Sequence, residues 1–531
     1  MIKKAGSLFV TAYLLLIFGV YPFYLKDGYV DVGEGKYEFF LYCSLGALFI
    51  FAIIALSSIG QSIYTRFRKK EVYLIEWDKI KISSTDIFVF MYLAILSLSA
   101  VYSDFRKEAL WGAEGWRMGL IVMALLCGLY LFISRFWDGT KIVWIVAGVC
   151  SVAVFLLGIL DSFSFYLIPL PIREAGFIST LGNINWFCGY LSVLAPVGIS
   201  FWFFREIRVE ENKFKFFTLK AVCLGIYTVI AFMAGLCQGS NSVFLWFGGL
   251  FFVLLWISAG NKRMLADWFF LLFLWGISAQ LIRLARILFP GRYNYELNNL
   301  CGFFTETNIS LWIALTALGG YGVLRYFSQR DQIIGSLEIQ KSGKIRGMLI
   351  GVLFGVILLW VILSVVNTWT KWSGFLGAGL FLWDEDWGNG RGMAIKAGFQ
   401  MLKEMPFGKK LIGVGPDCFA NFAYSVDEIA VGLREKFGAS KLTNAHCELL
   451  TSLVNVGILG TLCYVGIFIS FVGRCMKKGM EKPLLYIPAI CAVCYLCHNV
   501  MSFAQVLNLP FVILVIAMGE NILRQNHSRM G

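Results

Sequence analysis

Charge is scarce in this sequence, and so is histidine. Of 531 residues only 15% are charged and three are histidine, whereas 58% are hydrophobic and the mean hydropathy is +0.73. A water-soluble protein cannot hide that much apolar side chain, because much of any folded surface must face water. Also missing are a P-loop and any glycine-rich nucleotide fingerprint, so nothing in the chain is suited to consuming ATP. No internal repeat is visible, and no pair of glycine- or proline-broken apolar runs occupies matching places in two halves. That counts against a transporter built on inverted repeats. No paired cysteine pattern stands in a loop; most of the fourteen cysteines, among them Cys43, Cys127, Cys150, Cys223 and Cys463, lie inside apolar runs. There a thiol acts as a small hydrophobe rather than as half of a disulfide framework. The opening MIKK and its long apolar run lack a small-residue cleavage site, and so read as a retained first span.

What is present is a succession of apolar runs of about 20 residues, the length that matches a bilayer. About fourteen spans are expected by that criterion. They lie near 7–25, 38–60, 86–103, 117–134, 142–160 and 186–204, then two joined by the turn CQGSNS, then near 265–288, 305–325, 347–366, 449–472, 484–503 and 506–523. The expected fold class is all-α, a polytopic membrane protein with one long extracytoplasmic loop. The formal net charge of +13 resides mostly in short segments between alternate spans, such as Arg66 to Lys70, Arg135 with Lys141, Lys262 with Arg263, and Arg474 to Lys482. This is the positive-inside pattern. It places both termini and these loops in the cytoplasm, and it accounts for the basic balance without nucleic acid.

The chain then divides into a membrane part over 1–366, a polar segment over 367–448, and a membrane part with a short tail over 449–531. The polar segment opens on Trp369, Trp372, Trp383 and Trp387 around Asp384, Glu385 and Asp386. Three acids in a row read as a solvated face. Arg391 follows Gly388, Asn389 and Gly390 and precedes a helical pattern at Met393, Ala397, Met401 and Leu402. A guanidinium always carries charge and offers a fork that matches phosphate oxygens, although the residue taken alone reads more simply as a solvated loop arginine. FGKKLIGVGPDCF reads as a structural turn rather than a phosphate cradle. His446, just before a span, can accept a proton near neutrality, or merely bond a backbone carbonyl. Arg173, Arg117, Arg283 and Arg286 stand at outer span ends, where an ionisable group is either functional or snorkelling. The string Cys491, Cys494, Cys497, His498 has ligand-like spacing but lies on helical spacing in an apolar run, so no metal is expected.

Three stretches together resemble the bacterial O-antigen ligase and O-antigen polymerase superfamily. Leu181-Gly182-Asn183-Ile184-Asn185 before Trp186 is similar to that family's Gly-Asn-Pro-Asn entry to a span, with Ile184 in the proline's place. Arg391 followed by MLKEMPFGKKLIGVGPDCF resembles its arginine, helix, Pro-x-Gly and Gly-x-Gly run. His446-Cys447-Glu448-Leu449-Leu450 with Val456-Gly457-Ile458-Leu459-Gly460 resembles its His-Asn-x-x-Leu and Gly-Ile-Leu-Gly ending, with Cys447 in the asparagine's place. Trp111-Gly112 and Arg117-x-Gly119-Leu120 are similar as well. Where the family often has Ser-Arg, this chain has Ser240-Asn241, which leaves Arg283 or Arg286 as substitutes.

The resemblance covers roughly 105–470 and implies a GT-C-like inverting glycosyltransferase without metal or other cofactor, in the bacterial cytoplasmic membrane. Such an enzyme moves a glycan from an undecaprenyl-diphosphate donor to an acceptor hydroxyl on a glycan, lipid, wall or protein. It further implies His446 and Arg391 as catalytic residues, with Arg173, Arg117, Asn183, Asn185, Glu448, Arg283 and Arg286 binding substrate. The competing expectation is a non-enzymatic flippase of the same lipid-linked glycan. A flippase predicts charges near mid-membrane, whereas here most charges lie in loops.

Overall fold

The computed structural model of the chain describes residues 2–69, 82–170, 176–205, 218–296, 299–334, 342–370 and 381–525. Among these the fold is helical throughout, apart from one short antiparallel strand pair, Phe177–Ile178 with Gly182–Asn183. The chain is an all-α polytopic protein. Nine described helices are long and apolar enough to cross a membrane, and ten if the bent pair Leu300–Glu306 and Ile309–Arg330 is one span. That pair turns by 71°, where the sequence predicts an unbroken span near 305–325. The break falls at Thr307 and Asn308, residues whose short polar side chains compete with helical hydrogen bonding. The Thr307 hydroxyl donates to the Phe303 carbonyl. Four other expected spans coincide with shorter helices: Leu120–Phe136, Val243–Ser258, Pro483–His498 and Leu509–Gln525.

Ile184–Phe203 is the most enclosed of the candidate spans, with 89% of its apolar window inside the protein. It reads apolar on every side, as a helix surrounded by others must, and packs between Leu219–Cys237 and Tyr486–His498. Its first turn is built locally. Asn183 is the N-cap, and its side chain accepts from the Asn185 N–H at 2.8 Å, satisfying one of the free donors at the helix start. The strand pair before it is pinned by Asp161, which accepts from Ser179 N–H at 2.8 Å, and by Tyr29, whose hydroxyl donates to the Ser179 carbonyl at 2.7 Å. At the other extreme, only 6% of the Gly343–Thr370 window is buried.

The polar segment folds into helices rather than an open loop. Trp387–Glu404, Phe407–Ile412, Phe419–Ser425 and Asp427–Phe437 lead to Glu448–Asn455. The pattern after Arg391 is the amphipathic stripe the sequence predicts: Met393, Ala397 and Met401 are buried. They join Phe419, Leu433, Leu450 and Val454 in a second apolar core, distinct from that of the membrane helices. Ala100 and Ala109 also enter this core and tie the layer to the end of the Ser84–Val101 helix.

At the start of that helix, and so toward its opposite end, lies an ion network. Ser83 caps it, donating its N–H to Asp86 at 2.8 Å. The fully buried Asp86 also pairs with Arg135 at 3.0 Å and with Arg524, and accepts from the Tyr130 hydroxyl at 2.9 Å. Arg524 continues to Glu520 at 3.2 Å, which holds Arg474 at 2.6 Å. Four helices are thereby joined near the end where the sequence predicts the cytoplasm. Removing one partner of a buried pair strands the others and typically costs ~3–5 kcal/mol. Asp86→Ala is expected to lower unfolding stability in detergent by about that amount, whereas Leu98→Ala on the exposed side of the same helix changes it by ~0.5 kcal/mol or less. Equal effects would show that the network contributes nothing specific.

Candidate functional site

The site forms where the first turn of the enclosed helix meets the polar layer. Arg391 is placed by a sharp backbone reversal: Gly388, Asn389 and Gly390 all have positive φ, of 62°, 63° and 84°. The regular helix begins only after them. Gly392 is required next, because a Cβ there would lie 1.8 Å from the Asp384 carbonyl oxygen. One Arg391 Nη donates to the Gly388 carbonyl at 2.9 Å. Its Nε is buried without a hydrogen-bond partner, and no carboxylate pairs with it among the described residues. Burial pushes its pKa down, yet a guanidinium stays charged. The charge reaches Cys188 on the enclosed helix, His446 and His498. Arg391 is half-buried with its Nε enclosed, and an anion is the kind of group that would pair with its charge.

His446 sits in a strained turn, with φ of 49°. The turn is held by Asn444, whose side chain accepts from the His446 N–H at 2.9 Å, by the Thr451 hydroxyl, which accepts from Ala445 N–H at 3.1 Å, and by Glu448 N–H, which donates to the Asn499 carbonyl at 2.9 Å. All of these are backbone contacts, so the imidazole itself remains available: neither ring nitrogen has a hydrogen-bond partner among the described residues. The ring packs edge-on against Phe503 with centroids 5.5 Å apart. Burial, and then the charge of Arg391, push its pKa down to about 4, which leaves it neutral at physiological pH.

An aromatic series leads away from this imidazole. Phe503 meets Trp116 at 4.8 Å, Trp116 meets Trp186 at 5.5 Å, Trp186 meets Phe177 at 5.8 Å, and Phe177 meets Tyr29 at 5.4 Å. Thus the 112–119 turn and the first residues after the Asn183 cap share a wall with His446.

The remaining sequence candidates divide. Asn183 is spent on the helix cap, and Asn185 accepts from the Ser240 hydroxyl at 3.0 Å, which continues through Ser242 to Cys188. Arg117 is paired with Glu34 at 2.9 Å. Arg283 donates to Asn308, and Arg286 pairs with Glu306 at 2.9 Å; neither has Arg391, His446 or Asn185 as a partner. Arg173 and Trp372 lie outside the described residues. Glu448 is buried and lines a small cavity that also holds Asp417. Asp417 stands within GVGPDCF, but an aspartate in a glycine-rich turn resembles any turn former, and only its tertiary contacts mark it out. The turn itself is structural, with Val414 and Gly415 N–H groups donating to the Val454 and Asn455 carbonyls at 3.0 Å each. Among the described residues no group of three metal-ligating side chains is assembled.

No protein-family model matches the chain, and no curated protein matches it.

The electrostatics of His446 can be read by titration of histidine-labelled protein. Its folded pKa lies below the ordinary 6.5, so the unfolded chain takes up the proton first as pH falls. The stability this residue contributes above pH 6.5 is therefore lost as pH falls toward about 4. Wild-type His446 is expected to stay neutral down to that point, and Arg391→Ala to raise its titration point while leaving it below 6.5, because burial is the larger cause. Titration of wild-type His446 at an ordinary pKa would contradict this arrangement.

Proposed function

We propose that this protein is a membrane glycosyltransferase of the O-antigen ligase or polymerase type, working on an undecaprenyl-diphosphate-linked glycan at the outer face of the bacterial cytoplasmic membrane. The observation that carries this reading is the pairing of a half-buried Arg391, its Nε enclosed and unpartnered and no carboxylate on it among the described residues, with a neutral His446 whose ring nitrogens are unpartnered, within its electrostatic range. A diphosphate is the kind of ligand that supplies the missing counter-charge, since its oxygens suit a guanidinium fork. The proposal includes about fourteen crossings arranged as in GT-C-like enzymes, cytoplasmic termini, and the 381–447 layer on the outer side.

In this reading Arg391 holds the donor diphosphate and stabilises the negative charge that grows on it as the C1–oxygen bond breaks. His446 takes the proton of the acceptor hydroxyl as that oxygen attacks C1 from the opposite face, which inverts the anomeric centre. Burial and the charge of Arg391 keep the base neutral. A bound diphosphate offsets the field of Arg391 on the imidazole, so the base strengthens when the donor arrives. Energy comes from the activated donor. Trp116, Trp186 and Phe177, the half-buried members of the aromatic series, offer faces on which sugar or polyprenyl groups can lie.

The test is reconstituted transfer from a polyprenyl-diphosphate-linked glycan. His446→Ala is expected to reduce turnover by about 10²- to 10⁴-fold with the protein still folded. Arg391→Ala is expected to reduce it comparably, and Arg391→Lys to restore it only in part, because a point charge does not replace the fork. A ladder of lengthened glycans identifies a polymerase, and a single capped acceptor a ligase. If both alanine variants transfer at the wild-type rate, the assignment fails. If the glycan crosses the bilayer without any transfer, the flippase reading replaces it.

A further inference from the structure

Two carboxyl groups, Asp417 and Glu448, face one cavity of about 40 Å³ beside the His446 turn. That is far below a ligand pocket of several hundred Å³, yet roomy enough for water where polar groups surround it. Asp417 uses one oxygen to accept from Ala113 N–H at 2.7 Å and Met118 N–H at 3.0 Å, which fixes the 112–119 turn. Its other oxygen has no partner among the described residues. Glu448 accepts from Ala504 N–H and from the Ser452 hydroxyl at 3.4 Å. Asn455 lines the same cavity, is 9% exposed, and its side-chain oxygen is buried with no partner. This space lies beside the His446 turn. Asn444, which holds the His446 N–H, and Phe503, which packs on the ring, both line the cavity.

We propose that Asp417 and Glu448 are a proton-accepting pair, which takes through cavity water the proton that the acceptor hydroxyl gives to His446. The inference rests on the transfer reading above. In the full step the acceptor O–H bond breaks and a C1–O glycosidic bond forms. The C1–oxygen bond to the diphosphate breaks, and its electron pair leaves with the diphosphate. The imidazolium then passes its proton on, Glu448 becomes a carboxylic acid, and the imidazole is neutral for the next turnover. Glu448 is the acceptor; Asp417 is a positioning residue that sets Glu448's affinity for the proton by like charge and pins the aromatic turn.

The direction of transfer follows from the surroundings. Burial pushes the Asp417 carboxyl up to about 7, against the pull of the Met118 and Ala113 N–H groups and Arg117. Burial also pushes Glu448 up to about 7, assisted by the charge of Asp417. Burial, the larger cause of the low imidazole pKa, persists when the donor binds, so the proton moves toward the pair. The phenols of Tyr92, Tyr464 and Tyr495 face Glu448 from three spans, and the thiols of Cys447 and Cys418 adjoin the pair. Ordinary phenols and thiols carry little charge near neutrality. Arg117 is therefore the charge that acts on the pair from outside it.

The experiment measures kcat and KM for a polyprenyl-diphosphate-linked donor from about pH 5 to about pH 9, spanning the pair. Wild type, Glu448→Gln and Asp417→Asn are compared, and the carbonyl stretch of protonated carboxyl groups is followed by infrared titration. Wild-type kcat is expected to rise with pH through about 7. In Glu448→Gln that limb should vanish and kcat fall by about ten- to a hundredfold, with donor KM unchanged. Asp417→Asn should move both the limb and the infrared titration to lower pH together. If Glu448→Gln retains the wild-type limb and kcat, the pair is not the proton acceptor, although transfer stands. If wild type shows no carboxyl band titrating near neutrality, the inference falls without reference to any variant's folding. If wild type makes no product at all, the transfer reading fails and takes this role with it.

Discussion

A half-buried guanidinium without a carboxylate partner among the described residues is the constraint around which the site is arranged. Arg391 is set there by three consecutive left-handed residues and by a glycine that must pass a carbonyl. The same charge keeps the His446 imidazole neutral beyond what burial achieves. A protein that needed only a folded turn would meet this charge with an acid, and acids are close in sequence at Asp384, Glu385 and Asp386. Those acids instead face solvent, with Glu385 on Lys396 at 2.6 Å and Asp386 on Lys436.

The rest of the fold holds that charge in place. The helix Ile184–Phe203 is buried from Phe187 almost to its end, which anchors its half-buried first turn, and the Asn183 cap fixes where it begins. Hydrogen bonds from Asn185 through Ser240 and Ser242 to Cys188 lock that turn to the next helical pair. The second core brings Trp387–Glu404 onto Glu448–Asn455, so Arg391 and His446 are borne by elements packed on each other. Toward the other end of Ser84–Val101, the ions around Asp86 and Glu520 join four helices. That network is distinct from the site and bears on its stability alone.

Much of this was readable along the chain, and the residues show why. Apolar length reports a span because the bilayer imposes it, so Ile184–Phe203 and Gly457–Gly479 stand near their expected places. The stripe at Met393, Ala397 and Met401 reports a helix because the period of 3.6 is local. The bend at Thr307 was not legible, because an apolar composition does not reveal where short polar side chains interrupt it. Nor did the arginines sort themselves. Arg117 and Arg286 resemble Arg391 in sequence, but Glu34 is 83 residues from the first and Glu306 is 20 from the second. Asp417 is not marked by its neighbours because the turn it holds lies far earlier in the chain, with separations of 304 and 299 for its two bonds.

By itself, then, the amino-acid sequence determined what depends on near neighbours and on the solvent: an all-α chain of membrane-spanning length, a polar segment that holds Arg391 and His446, and a span beginning near 186. Only the tertiary structure decided which charges remain uncompensated. Whether a guanidinium or a carboxyl is paired depends on groups brought together from distant positions, and desolvation depends on everything packed around it. That is why Arg391 stands without a carboxylate while Arg117 does not, and why Glu448 and Asp417 meet across one cavity.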